Sequence, residues 1–304
     1  MKDVMSDGVS HKLLDGRRAA VEILAGVARD AAGLAEQGWA PRLVSVTVGE
    51  AQAVAVYVRN QRRRAEANGI AFEEHNFAAD VSRAEIVAAL RAMNSDPRIT
   101  GVIIQRPVPE HLSIRDLQMA IHPLKDVEGM HPASIGNIVY NDLDLAPCTA
   151  LASVELLKRT SLALKGLEVV VIGHSEIVGK PIAFMLMAEG ATVTVCHHMT
   201  RNLALHSRRA DAVFVAVGKP GLVTGEMIKP GAAVIDIGIN QMADGSIVGD
   251  ADFDSCAEVA GWITPVPGGV GPVTVAILMR NAVTAAKRQK AHYDKAFSPE
   301  EFAA

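Results

Sequence analysis

Short apolar runs alternate with helical patterns along most of this chain, and that alternation restricts the fold more than any other feature. In "RLVSVTVG", Arg42 to Gly49, Val44, Val46 and Val48 alternate with small polar residues, as in a strand. A helical pattern, "YVRNQRRRAEANGI" from Tyr57 to Ile70, follows it. Next come a strand "GIAFEEHNF", a helix "SRAEIVAALRAMNSD" and a strand "ITGVIIQRPVP". Ser82 and Glu85 stand at capping-box spacing at the start of that second helix. Strand, helix, strand repeated in this order means right-handed βαβ units and a parallel sheet, hence the α/β class.

The pattern breaks at Leu124 to Thr149, which is rich in turn formers and weak in periodicity. This stretch is expected to be a long ordered loop, and such loops in compact domains usually carry function. After a helix in "ALASVELLKRT" the alternation restarts with strand "LEVVVIG" and turn and helix "HSEIVGKPIAFMLMAEG". Strands "ATVTVCH", "ADAVFVAVG" and "AAVIDIGIN" follow, then the glycine turn "TPVPGGVGP" and a helix from Val273 to about Lys290. The tail to Ala304 is expected to be helical or frayed. The division expected is residues 1–149 with 273–304 as one domain and 150–272 as the other. A length of 304 residues suits two domains.

Composition removes several classes of function. A formal net charge of −4 argues against general affinity for nucleic acid or anionic membranes. The N-terminus "MKDVMSDGVSHKLLDG" has no apolar core and does not read as a secretory signal. No apolar run approaches the roughly 18 residues of a bilayer span. Cys148, Cys196 and Cys256 lie far apart, which gives no disulfide framework, and a reducing cytoplasm is the expected location. His122, His131, His197 and His198 fit no common metal spacing and read as loop or surface residues, so no metal is expected.

Two stretches carry chemistry. In "VVVIGHSEIVGKP", Gly173 ends a strand and Gly179 opens a helix, the arrangement that receives a pyrophosphate. Ser175 and Val178 occupy the other glycine positions of the usual dinucleotide fingerprint, so the stretch alone is equally a plain βα turn. The next strand ends in Cys196, His197 and His198, with no carboxylate to grip a ribose 2′-hydroxyl. Imidazoles there lean toward NADP over NAD. In the Tyr57 helix, Tyr57 and Gln61 stand four residues apart on one face. A lysine in place of Gln61 would make a proton-handling pair, whereas glutamine does not titrate.

With these motifs in place, the chain resembles the methylenetetrahydrofolate dehydrogenase/cyclohydrolase family. The matching stretches are "VGEAQAVAVYVRN", "IIQRPVP", "KDVEGMHP", "PCT", "VVIGHSEIVGKP", "VAVGKPG", "IDIGIN" and "TPVPGGVGPVTVAIL". The resemblance implies an N-terminal folate domain, a Rossmann-like NAD(P) domain, a cleft between them and a homodimer paired through the cofactor domains. The implied substrate is 5,10-methylenetetrahydrofolate, oxidised by hydride transfer and then, in most members, hydrolysed to 10-formyltetrahydrofolate. Carried over position by position, Tyr57, Gln61, Gln105 and Glu128 fall at catalytic positions. The folate would meet Tyr57, Glu128, Pro267, Gly268 and Gly269. The cofactor would meet Gly173, His174, Ser175, Ile177, Val178 and Gly179 in the first turn. Further along it would meet His198, Val217, Gly218, Ile239 and Thr274. Read from the residues alone, the Gly268 cluster is a tight turn.

The chain departs from the family in its folate half. Gln61 stands at the family's lysine, Glu128 at its aspartate, Arg106 at its leucine and Val54 at its serine. Hydride transfer is chiefly positioning, while hydrolysis needs protons moved. The expectation is therefore a dehydrogenase with weak or absent cyclohydrolase activity. The alternatives are a fully bifunctional enzyme and a non-catalytic folate- or nucleotide-binding paralogue.

Overall fold

The computed structural model describes residues 12–49 and 52–297. The expectations for residues 1–11 and for the tail at 298–304 lie outside them, while the last helix continues past Lys290 to Ala296, as expected for a helical tail. Two compact units divide the chain, Met1–Val21 with Pro147–Thr274, and Glu22–Ala146 with Val275–Ala304. The segment through Val21 thus groups with the later half of the chain.

In order, the elements are α1 (Gly16–Glu36), β1 (Arg42–Val48), α2 (Gln52–Glu66), β2 (Ala71–Phe77), α3 (Arg83–Ser95), β3 (Gly101–Ile104), α4 (Ile114–Ala120) and α5 (Pro132–Val139). Then come α6 (Cys148–Lys158), β4 (Glu168–Ile172), α7 (Gly179–Ala188), β5 (Thr192–Cys196), α8 (Leu203–Ser207), β6 (Ala212–Val215), β7 (Ala233–Asp236), β8 (Asn240–Gln241) and β9 (Ile247–Val248). The last three are α9 (Phe253–Val259), β10 (Trp262–Ile263) and α10 (Val270–Ala296).

The unit of Glu22–Ala146 holds a parallel three-stranded sheet in the order β2-β1-β3. Val44, Val46, Val102 and Ile104 of that sheet pack with Ile86 and Leu90 of α3 in one apolar core. Ser82 caps α3 as its spacing predicts, its hydroxyl oxygen accepting from the Glu85 amide at 3.2 Å. The unit of Pro147–Thr274 holds a parallel five-stranded sheet, β10-β7-β6-β4-β5, and an antiparallel pair of β8 with β9. The chain runs from β4 to β5 on one side and then crosses to β6 on the other. The space beyond the carboxyl ends of β4 and β6 is therefore a topological switch point, where open α/β sheets take their ligands. Among the described residues, no helix is long and apolar enough to cross a membrane.

The expected long loop from Leu124 to Thr149 contains a helix, α5. Its sequence, "PASIGNIV", is too short and too interrupted by glycine and asparagine to show a period. Local bonds start it instead. Pro132 occupies the first turn, where the missing N–H costs nothing, and the His131 ring accepts from the Ala133 amide at 3.0 Å. The Asp126 carboxylate accepts from the His131 amide at 2.7 Å and the Ser134 hydroxyl at 2.8 Å. The strand read in "AAVIDIGIN" stops at Asp236 because that side chain turns back to accept from the Gly238 amide at 2.9 Å.

Candidate active site

The two units present separate clusters of the expected site residues. In the unit of Glu22–Ala146, α2 buries Val54, Val58, Gln61 and Ala65, one face at helical spacing. Gln61 sits inside that apolar stripe at 0% exposure, while Tyr57, one turn earlier, lies at its rim at 44%. A buried amide in an apolar stripe needs a partner. The partner is Gln105, just past β3, whose Nε2 donates to Gln61 Oε1 at 2.8 Å and to Ser45 Oγ at 3.0 Å. The backbone amide of Gln105 is itself fixed by Val46 O at 2.8 Å. Gln61 Nε2 is buried and has no hydrogen-bond partner among the described residues. The Ser45, Gln61, Gln105 cluster thus holds one unspent donor and no titratable group. Arg62 does not enter it. Its guanidinium donates to Glu74 at 2.7 Å and lies over the Phe72 ring at 5.4 Å.

Glu128 is placed by the turn it stands on. Lys125 Nζ donates to the carbonyls of Met93 and Asp96 at 2.8 and 2.7 Å, closing the carboxyl end of α3. Asn281 of α10 donates to Val127 O at 3.0 Å and Ala146 O at 3.1 Å. The Glu128 side chain keeps part of its surface open yet sits deep in protein. Desolvation raises its carboxyl to about 7, opposed by the Arg106 charge and reinforced by Asp126. The sequence alone marks neither Ser45 nor Asn281, since a lone serine in a strand and a lone asparagine in a helix carry no pattern. A cavity of about 1030 Å³ in this unit is lined by Thr47, Val58, Arg59 and Asn76 among others, and by none of the residues assigned to the folate.

In the unit of Pro147–Thr274, Gly173 leaves β4 with φ +126°, and a Cβ there would stand 2.4 Å from Ala216 O beyond β6. A Cβ on Gly179 would stand 1.9 Å from Gly173 O. Only glycine at both positions allows the two strand ends and the start of α7 to approach this closely. No side chain caps α7, because Val178 occupies the cap position, so the amide at Gly179 is left for an anion. This turn fits a dinucleotide pyrophosphate on its own geometry. Ile177 and Val217 are 37% and 38% exposed, apolar surface on either side of the switch point, and Ile239 is exposed at 70%.

Three of the expected cofactor residues, Val217, Gly218 and Thr274, already have polar groups committed elsewhere. Asp250 Oδ2 accepts from the amides of Val217 at 2.6 Å and Gly218 at 2.9 Å, and Oδ1 from Lys219 at 2.8 Å. What Val217 and Gly218 retain for a ligand is surface, not N–H. The Thr274 hydroxyl donates to Val270 O at 3.2 Å within α10. Asp250 is in turn held by Asp236, whose carboxylate accepts from the amides of Asp250 at 3.1 Å and Ala251 at 2.8 Å. Desolvation raises Asp236 to about 6 against the pull of three amides. In the glycine turn before α10, Gly268 has φ +117°, its carbonyl accepts from the Gly16 amide at 3.0 Å, and Pro265 O accepts from Gly269 at 2.8 Å. A Cβ on Gly16 would stand 1.7 Å from Gly269 O, so the turn is also needed to seat α1.

A parallel sheet with an uncapped glycine turn at its switch point defines a dinucleotide-binding protein, here with a second α/β unit carrying a buried amide cluster. The comparisons narrow the class. Residues 147–290 match the family described as tetrahydrofolate dehydrogenase/cyclohydrolase, NAD(P)-binding domain, and residues 14–128 match its catalytic domain. The chain belongs to the tetrahydrofolate dehydrogenase/cyclohydrolase family. It is 64% identical over 290 residues to bifunctional protein FolD 2 of Mesorhizobium japonicum, covering 94% of this chain and 95% of the relative. Among solved structures, the bifunctional FolD of Campylobacter jejuni is 37% identical with a TM-score of 0.88, covering 91% and 98% of the two chains. The Trypanosoma brucei enzyme, solved with NADP cofactor and inhibitor, is 36% identical with a TM-score of 0.84, covering 91% and 97%.

Proposed function

We propose that this chain oxidises 5,10-methylenetetrahydrofolate to 5,10-methenyltetrahydrofolate with a nicotinamide dinucleotide and hydrolyses the product weakly or not at all. The observation that carries this reading is the amide pair. Gln61 and Gln105 hold each other at 2.8 Å in a buried cluster without an ionisable group. The nicotinamide supplies hydride acceptance when bound. The protein's own share of that step is to hold two ligands in register, with Tyr57 at the rim of α2 and Glu128 to grip the pterin N–H groups. Gln61 Nε2 donates one hydrogen bond to a substrate oxygen or a water and cannot take its proton away. Positioned acid–base help is typically worth about 10²–10⁴-fold.

The test follows methenyltetrahydrofolate by its own absorbance during turnover with NADP⁺. The product should accumulate and decay at the rate seen in buffer. Gln61→Lys should speed its decay, because Gln105 can turn its Oε1 toward the new ammonium while Ser45 offers a second acceptor. Restoration should be partial, since Val54 and Glu128 also depart from the family. A wild-type enzyme that hydrolyses methenyltetrahydrofolate far faster than buffer overturns the proposal.

One observation favours the fully bifunctional reading. Glu128, at about 7, is a titratable group suited to moving a proton at neutral pH. Under that reading Glu128→Gln abolishes hydrolysis and Gln61→Lys changes little. A binding protein without turnover would show no rise in NADPH absorbance.

We further infer that NADP⁺ is used at least as well as NAD⁺, because β5 ends in Cys196, His197 and His198 with no carboxylate for a 2′-hydroxyl. Pairing through the cofactor unit is supported by its open edge. β5 ends the sheet with Val195 exposed, and Phe184 and Met187 of α7 are exposed in the same unit. All three cysteines are buried thiols, which suits the reducing cytoplasm we assign.

A further inference from the structure

His174 lies two residues past β4, and His197 and His198 lie one and two residues past β5. β4 and β5 pair in parallel with Ile172 opposite Cys196, so residues just beyond the two strands arrive side by side. The ring centroids are 4.7 Å apart for His174 and His197, 5.8 Å for His197 and His198, and 6.2 Å for His174 and His198. One ring nitrogen from each residue lies within 4.8 Å of the other two.

We propose that His174, His197 and His198 form a three-imidazole site for a borderline divalent transition metal such as Zn²⁺, with a coordination position open to solvent. Three imidazoles favour Zn²⁺, Ni²⁺ or Cu²⁺ over Mg²⁺ and Ca²⁺, which take oxygen donors. Zn–N bonds of about 2.0–2.1 Å in tetrahedral geometry place ligand nitrogens roughly 3.3 Å apart. The rings must therefore close by about 1.5 Å at most, which side-chain rotation supplies. His174 and His198 are exposed and turn at little cost. His197 is half-buried, and its Nδ1 accepts from the Met199 amide at 3.2 Å, a long bond that metal ligation would weaken or replace. The neighbouring Cys196 thiol is buried and stands outside the cluster that the three ring nitrogens form. Ligation would lock together the turn after β4 and the turn after β5.

The site is tested on tag-free, chelator-treated protein without cofactor or folate, so the result does not depend on the catalytic proposal. Calorimetric titration with Zn²⁺ should show one ion per chain at micromolar affinity. Co²⁺ should give the visible absorption bands of a tetrahedral nitrogen site. His174→Ala and His198→Ala should each weaken Zn²⁺ by about tenfold or more, and the double variant should remove it. His206→Ala, on α8 and outside the cluster, should leave it unchanged. No stoichiometric Zn²⁺, equal affinity for Mg²⁺, or wild-type affinity in the double variant overturns the proposal.

Discussion

In the unit of Pro147–Thr274, the turn suited to a dinucleotide is made of backbone: two glycines, an uncapped helix start, and a loop whose amides are held by Asp250. In the unit of Glu22–Ala146, the candidate site is made of side chains: an amide pair, a serine hydroxyl and one glutamate. Backbone machinery tolerates change poorly, because a Cβ at Gly179 has nowhere to go. Side-chain machinery can change by one group and keep its shape. That asymmetry means the glycine turns should resist substitution more strongly than the side chains of the other unit.

Asp250 carries the largest expected effect in the backbone-built half. If the loop after β6 owes its shape to that carboxylate, Asp250→Ala strands three amides and the Asn240 side chain. The expected loss is about 3–5 kcal/mol of unfolding free energy, read by urea denaturation, and Asp250→Asn should lose less. A loss under about 1 kcal/mol would mean that the loop holds itself.

Glu128 gives the next largest effect and tests the side-chain half. Glu128→Gln should raise the folate KM about tenfold at pH 8, with the cofactor KM unchanged. The penalty should shrink at pH 6, where the wild-type carboxyl is itself largely protonated. Stability gives an independent check. The folded value of about 7 lies above the ordinary 4.5, so the neutral form is the one the fold favours. Its contribution is complete below about pH 4.5 and is lost as pH rises through 7. Wild type should therefore lose about 1–3 kcal/mol relative to the glutamine variant between pH 5 and 8. A pH-independent difference would remove Glu128 as the titrating group.

The smallest effect concerns cofactor choice. His198→Asp places a negative charge at an exposed position beyond β5. It should shift the ratio of kcat/KM values toward NAD⁺ by roughly fivefold, the modest size expected of an exposed, screened charge. An unchanged ratio would mean that the ribose lies elsewhere.

The sequence by itself determined what contiguous residues can encode. Alternating valines and helical spacing give the two parallel sheets. Ser82 with Glu85 marks the start of α3, and the long motifs mark the family. Gln61 is visible as a non-titrating residue four positions after Tyr57 because one letter at a known spacing suffices. Elements too short for a period, such as α5, are not legible in this way, since bonds from Asp126 and His131 start them. Only the tertiary structure decided which distant side chains meet. Gln105 reaches Gln61 and Ser45 because β3 lies beside β1 under α2, across sequence gaps of 44 and 60 residues. Asp236 reaches Asp250 because the β8–β9 hairpin returns the chain to its starting point. His174 joins His197 and His198 through the register of β4 on β5, which no spacing rule along one strand contains. Strand pairing and helix crossing are settled by burial of the two cores as wholes, and the local sequence at each of these residues carries no record of that choice.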